Sequence, residues 1–472
     1  MPLTTVRLGG ADGVLAAALS ALREQLGVTA EFPAEVETEA AAAVGTVVLP
    51  VADLLDVPFF TIDPAESLDL DQAMHLERNG DGYRVRYAIA NVPEFVTPGG
   101  AVDTEARKRG QTLYPPDGRI PLHPTVISEH AASLLPGEIR GAFVWTFELD
   151  HDAHVTSTTL ELARVRSTER FDYPTVQSTI DAGTASDLVA LLKEIGMALI
   201  IRERDRGGAS LGRPEQEVHE VGGRYELVRR QPLPAEDWNA QISLLTGMAA
   251  ARIMLEGKVG ILRTMPAPSD ESIIWFRRRA AALGTGWAEG VEYGEYLRAL
   301  DPGDPKQLAI MHAAASLFRG AGYTAFDGAV PENSVQSAVG ASYAHATAPL
   351  RRLVDRFVLV VCEALANGRE VPAWAREALP DLPPIMAASD ALAGRLDHAA
   401  VSAVEAAVLS TRIGDEFTAT VIAVTNGTGQ IQLVDPAVTA ACDGKLIAGA
   451  VITARLVTAD VASGTVRFAA VG

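Results

Sequence analysis

The chain has 472 residues, 48% of them apolar and 21% charged, which is the composition of a folded globular protein and excludes a disordered or low-complexity one. Forty Lys and Arg against sixty Asp and Glu leave a net charge of −20, which excludes a generally basic nucleic-acid coat. Screening over about 8–10 Å still allows a local basic channel. Two cysteines, Cys362 and Cys442, exclude a disulfide framework and a four-thiolate zinc site, and no apolar run reaches the roughly 18 residues of a membrane span.

In chain order, Leu15, Leu19, Leu22 and Leu26 recur at i, i+4, i+7 and i+11, with Arg23, Glu24 and Gln25 directly after Leu22. That spacing predicts an amphipathic helix over about 13–27 in place of a signal-peptide core, and so a cytoplasmic protein. A second helix is expected from Glu35 to Ala43. Phe59–Ile62 reads as a short buried strand, and Tyr83–Ala90 alternates as another. A Gly/Pro-rich stretch from Pro98 to Pro136 precedes strands at Phe143–Leu149 and Val155–Val165.

From about 185 the period becomes helical, with a stripe of Leu188, Leu191, Leu192, Ile195 and Leu199 and a second run from Leu244 to Met254. Pro349 suits the start of a helix whose body is Arg351–Leu365, and another helix is expected over about 387–412. Beyond Gly414, Phe417–Val424, Gln430–Val434, Lys445–Leu456 and Thr465–Val471 are β-rich, with Asn426-Gly427-Thr428-Gly429 as a turn. Short strands at this spacing predict a small β-barrel. The expected class is α+β: a helical segment at 1–52, a mixed α/β domain at 53–385, a connecting helix at 386–413 and an all-β barrel at 414–472.

The sharpest chemical feature is the loop after Phe59–Ile62, which holds Asp63, Glu66, Asp69 and Asp71 within nine positions and then Gln72. Clustered carboxylates repel one another, and a hard divalent cation such as Mg²⁺ resolves the conflict. The same residues also suit a turn or helix cap. A calcium EF-hand is excluded by the missing glycine and distal glutamate. A phosphatase built on Asp69-Leu70-Asp71 is disfavoured because the pair stands seven residues past Ile62.

A second element, Tyr343–Asp355, places Arg351 and Arg352 in what reads as a first helical turn, where cations oppose the macrodipole unless an anion sits there. The alternative is a surface pair answering Asp355 at i+4 and i+3. A third is the run Arg202-Glu203-Arg204-Asp205-Arg206-Gly207-Gly208-Ala209-Ser210, which alone reads as a solvated helix end.

Together Asp53–Ala73, Tyr83–Pro124, Ala132–Phe143, Arg204–Glu215 and Tyr343–Arg356 resemble, in order and spacing, the ribonuclease II / ribonuclease R (RNB) exoribonuclease family. The resemblance implies a mixed α/β domain around an RNA channel, with the C-terminal barrel as an oligonucleotide-binding fold. It implies hydrolysis of single-stranded RNA from the 3′ end to nucleoside 5′-monophosphates, using one or two Mg²⁺ ions for which Mn²⁺ substitutes. Asp63, Asp69 and Asp71 fall on three of the family's four acidic positions, with Asp71 the first choice for the essential carboxylate. Arg351 falls on the arginine that holds the scissile phosphate, Arg352 on its basic neighbour, and Tyr114 on the aromatic that stacks near the RNA 3′ end. The RNA path is expected to gather Arg202, Arg206, Arg213, Arg263 and the run Arg277-Arg278-Arg279, since phosphate contacts dominate affinity. A monomer with no obligate protein partner is expected.

The chain departs from the family at three places. Gln72 stands at the fourth acidic position; its amide oxygen can ligate Mg²⁺ but brings no charge, so weaker metal binding is expected. Asn91 replaces an aspartate, and about 52 residues precede the catalytic region, too few for two cold-shock domains. Gln72 thereby leaves open a catalytically weakened RNA-binding regulatory protein. A metal-dependent phosphatase acting on small substrates is the more distant alternative.

Overall fold

The computed structural model describes the chain apart from residues 1, 8–11, 210, 211, 213, 222, 223, 315, 316, 426, 427, 434, 437 and 472, and describes backbone alone at 2–7, 12, 215–217, 219–221, 224–229 and 425. Arg213, Ser210 and the Asn426-Gly427 turn therefore lie outside what is described.

The central unit is a six-stranded sheet in the order Ala52–Asp53, Val155–Phe171, Phe59–Ile62, Gln72–Asn79, Gly82–Ala90, Ile139–Leu149. Strand Val155–Phe171 is long enough to pair with Ile139–Leu149 along Val155–Arg166 and, on its other edge, with Phe59–Ile62 at Ser167–Phe171. The sheet therefore closes back on itself. Phe60, Met74, Tyr87, Trp145 and Phe147 form a core on one side with helices Asp187–Asp205, Pro234–Gly257 and Leu353–Ala366. Phe59, Ala73, Ala88 and Ala163 face a second core covered by Val36 and Ala40 of helix Ala34–Thr46.

Several expectations need correction. The N-terminal segment is not wholly helical: Pro2–Arg7 is a strand pairing antiparallel with Arg224–Arg230, which also pairs with Glu215–Val221. Strand Gln72–Asn79 went unread because four successive buried residues hide its alternation. The stretch Pro98–Pro136 contains a helix, Ala101–Arg109, ended by Gly110 at φ 73°. A side chain at Gly110 would meet Cβ of Ser389 at 2.5 Å, so both backbone and space require glycine there.

The arginine helix begins at Leu353, later than expected, with Arg352 extended at φ −139° and ψ 118°. Backbone pairing with the segment after Gly110 overrides the helix start: Thr112 N–H donates to Arg351 O at 2.9 Å and Leu353 N–H to Gly110 O at 3.0 Å. Asp270–Ala282, Tyr293–Arg298 and Pro305–Ala314 form a small helical cluster around Phe276. Arg277 stacks there on Trp287 at 4.1 Å and Arg279 on Trp275 at 5.2 Å, so two of the three arginines serve local packing.

The long helix spans Leu382–Leu409, starting earlier than expected because Pro383 and Pro384 occupy its first turn, where no N–H is needed. It packs on helix Asp12–Leu26 through Leu15 and Leu19. The C-terminal strands close a barrel in the order Glu416–Thr425, Thr428–Leu433, Thr439–Asp443, Thr465–Ala470, Val451–Asp460. Thr439–Asp443 was not foreseen, and the expected Lys445–Leu456 strand starts at Val451. Phe417 and Phe468 meet edge to face at 5.7 Å inside the barrel. Among the described residues, no helix is long and apolar enough to cross a membrane.

Candidate active site

The acidic loop is held from both ends. Asp63 N–H donates to Phe171 O at 3.2 Å, and Arg170 donates to the carbonyls of Ala65 and, at 2.7 Å, Ser67. At the far end Ser133 Oγ donates to Leu68 O at 2.6 Å and accepts from Leu70 N–H at 3.0 Å. Leu70 is fully buried, so the backbone at Asp69 and Asp71 on either side of it is fixed in place.

Asp63, Asp69 and Asp71 line one cavity of about 700 Å³ together with Gln72, Tyr114, Arg119, Tyr173, Glu236, Ser243 and Arg351. Asp71 is 4% exposed. Its Oδ1 accepts from Leu350 N–H at 2.7 Å, and its Oδ2 lies 3.5 Å from Arg351 Nε. Burial still pushes the Asp71 carboxyl well above the usual range, with Arg351 and the Leu350 N–H opposing it. Burial likewise raises Asp63 to about 7, against Arg351, with the nearby Asp69 adding to the rise. Asp69 Oδ1 accepts from Arg119 Nη1 at 2.6 Å, and Arg119 bridges onward to Glu129.

Burial of Asp71 and partial burial of Asp63 disfavour their charged forms. An all-oxygen acidic donor set beside an open cavity fits a hard divalent cation such as Mg²⁺. Among the described residues, however, no three His, Cys, Asp or Glu side chains converge as a ready metal cage. Asp69 is drawn instead to Arg119.

Tyr114 and Arg351 also line a second cavity of about 300 Å³ with Gln111, Arg352, Leu396 and Asp397. Tyr114 is 57% exposed between the two spaces, and the Arg351 side chain is 44% exposed. Of the expected site residues, these two, the three aspartates and Gln72 are what the fold brings together.

The other expected residues are occupied elsewhere. Arg352 spends its fork on buried Asp355, with Nε to Oδ2 at 2.7 Å and Nη2 to Oδ1 at 2.9 Å. Arg206 donates from Nε to Val339 O at 2.8 Å. Arg202 lies 2.7 Å from His154 Nε2 and pairs with Asp205, and Arg263 pairs with Asp390 at 3.1 Å while stacking on Tyr323. None of the last three lines the acidic cavity. Gln72, expected to offer its oxygen to a metal, already has both ends of its amide engaged: Nε2 donates to Thr347 O at 2.7 Å and Oε1 accepts from Tyr87 OH at 2.6 Å. Asn91 is buried at a separate surface cleft with Glu94 and Glu161.

Sequence reasoning missed Arg119, Arg170, Ser133 and Tyr87. Arg119 carried a usable signal, since it stands five residues past Tyr114 within a motif already singled out. Ser133 lies inside Ala132–Phe143, also already singled out, but its target, the Leu68 carbonyl, is 65 residues away. Arg170 had no signal, because it acts on the Ser67 carbonyl 103 residues away.

Residues 51–367 match the RNB domain, and residues 415–471 match the RNase II-type exonuclease C-terminal S1 domain. Ribonuclease R of Escherichia coli strain K12 is 30% identical over 322 residues, covering 64% of this chain and 39% of that protein. Exoribonuclease 2 of Aeromonas hydrophila is 26% identical over 280 residues, covering 51% and 41%. The chain spans well under half the length of these curated relatives. In fold, the apo form of Mycoplasma genitalium RNase R is similar with a TM-score of 0.85 at 16% identity, over 97% of this chain and 78% of that one. Yeast Ssd1, described as a pseudonuclease, is similar with a TM-score of 0.72 at 16% identity, over 94% and 58%.

Proposed function

The chain belongs to the RNB family, and from that premise we propose that it is a divalent-metal-dependent hydrolytic exoribonuclease acting on the 3′ ends of single-stranded RNA. The products are nucleoside 5′-monophosphates. The protein works as a monomer in the cytoplasm, in RNA turnover or processing. The observation that carries this reading is the grouping of Asp63, Asp69 and Asp71 with Arg351 and Tyr114 around one cavity, from segments up to 288 residues apart in the chain.

Asp71 and Asp63 would hold Mg²⁺, with Asp69 completing the set once it turns from Arg119. When bound, the ion activates water and neutralises charge on the leaving oxygen. The chain's own residues do the rest. Arg351, half exposed beside Asp71, presents its guanidinium to the scissile phosphate, where charge develops as the bond breaks. Tyr114 offers an exposed ring on which a terminal base stacks without sequence readout. Leu350 N–H keeps the Asp71 carboxylate turned toward the cavity while Arg351 engages substrate.

Incubation of single-stranded RNA with the protein and Mg²⁺, followed by chromatography of the products, tests the reaction. Nucleoside 5′-monophosphates that disappear when the metal is chelated are expected. Products carrying 3′-phosphates would overturn it.

The second reading, an RNA-binding protein with weakened catalysis, rests on neutral Gln72. Phe417 and Phe468, the barrel's only aromatics, are both buried, so the barrel surface has no stacking platform of its own. Retention of all three aspartates and Arg351 favours the enzyme.

A further inference from the structure

We infer that Gln72 is a positioning residue that ties the acidic loop to the arginine loop, and is not a metal ligand. The inference rests on the active site proposed above and assigns a new part to one of its residues.

Gln72 opens strand Gln72–Asn79, immediately after Asp71. Adjacent residues grip one short turn at both ends: Gln72 Nε2 donates to the Thr347 carbonyl at 2.7 Å, and Asp71 Oδ1 accepts the Leu350 N–H at 2.7 Å. Between them Asp355 Oδ1 accepts the Ala348 N–H at 2.7 Å. Arg351 leaves the backbone directly after this clamped turn. Its direction is therefore set by three anchors, of which Gln72 is the first.

The amide orientation is fixed by chemistry. The Thr347 carbonyl can only accept, so it must face the NH₂ end, which turns Oε1 to the Tyr87 hydroxyl at 2.6 Å. Tyr87 is fully buried. It sits opposite Met74 on the neighbouring strand, so it reaches Gln72 diagonally and cannot move aside. Thr347 is also held through its own hydroxyl, 2.8 Å from Ser243 Oγ on helix Pro234–Gly257. A carboxylate at position 72 has no proton to offer Thr347 and would set two acceptors face to face. An aspartate is also one methylene too short to span both partners. The amide does what the acid cannot.

The test compares Gln72→Asp, Gln72→Ala and the near-isosteric Gln72→Met with the parent protein. Two readouts need no activity. In metal-free protein, hydrogen–deuterium exchange of the peptide spanning 347–352 should quicken about tenfold in all three variants, the scale of losing one buried hydrogen bond. Mn²⁺ affinity, read by electron paramagnetic resonance, should change less than about threefold in Gln72→Ala and Gln72→Met and should not tighten in Gln72→Asp. On RNA, kcat should fall about tenfold with KM little changed, because Arg351 is misdirected while the remaining RNA contacts stay. Unchanged exchange, together with Mn²⁺ binding that tightens in Gln72→Asp and weakens in Gln72→Ala, would overturn the inference and make Gln72 a ligand. If the parent protein cleaves no RNA, the proposed function fails, and the exchange and Mn²⁺ readouts still decide the role of Gln72. Gln72→Met keeps the comparison usable if Gln72→Asp does not fold.

Discussion

Asp63 gives the acidic cavity a measurable cost. Burial raises its carboxyl from 3.8 to about 7. A carboxyl whose folded value exceeds its unfolded one binds more protons when folded, so its contribution to stability falls as pH rises from about 4 to about 7. Between pH 5 and pH 8 the two titrations diverge by about 2 units, or about 2.6 kcal/mol at 1.36 kcal/mol per unit. Water in the open cavity relaxes the penalty, leaving about 1–2 kcal/mol. Asp63→Asn removes the group while keeping its shape. Urea unfolding of metal-free protein at both pH values should show the variant gaining about 1–2 kcal/mol on the parent from pH 5 to pH 8. Mg²⁺ at pH 8 should then stabilise the parent more than the variant. A stability difference independent of pH, or an equal response to Mg²⁺, would refute the idea that Asp63 awaits a cation.

The remaining expectations concern individual partners. Tyr114→Ala removes one stacking face worth roughly 1–3 kcal/mol, so the KM for RNA should rise about tenfold or more with folding stability unchanged; an unaltered KM would show that the ring serves packing alone. Arg352→Ala leaves Asp355 buried and unpaired, so thermal and urea unfolding should show a loss of about 3–5 kcal/mol; weakened RNA binding in a fully stable variant would return Arg352 to the RNA path. Ser133→Ala removes the two hydrogen bonds that pin the far end of the acidic loop, so it should cost about 1–3 kcal/mol in unfolding and weaken the Mg²⁺ midpoint. An unchanged midpoint would show that the loop holds its shape without the clamp.

The aspartates and Arg351 were legible because acidic clustering and a paired arginine motif are local patterns. Their company was not. Arg352 has the same residue type and the same neighbourhood as Arg351, yet the turn into helix Leu353–Ala366 aims one at Asp71 and the other at Asp355. Backbone pairing with Gly110–Thr112 and the anchored turn at 347–350 together decide that divergence, and such long-range contacts leave no trace in side-chain spacing. Gln72 shows the same limit, since its partners Thr347 and Tyr87 come from separate segments. In the fold, amphipathic periods predicted helix Asp12–Leu26 and the apolar stripe of Asp187–Asp205. Strand Gln72–Asn79 was hidden because four successive buried residues erase its period. In the helix carrying Phe276, exposed Ile274 and Trp275 blur the buried stripe of Phe276 and Ala280.

The central claim is tested most directly by a time course on a 5′-labelled single-stranded RNA of about 30 nucleotides with Mg²⁺, run beside Asp71→Asn. The account predicts labelled products that shorten progressively from the 3′ end with the parent protein. With Asp71→Asn it predicts intact RNA that still binds. RNA left intact by the parent protein at every Mg²⁺ and Mn²⁺ concentration, or label released first as a mononucleotide, would contradict it.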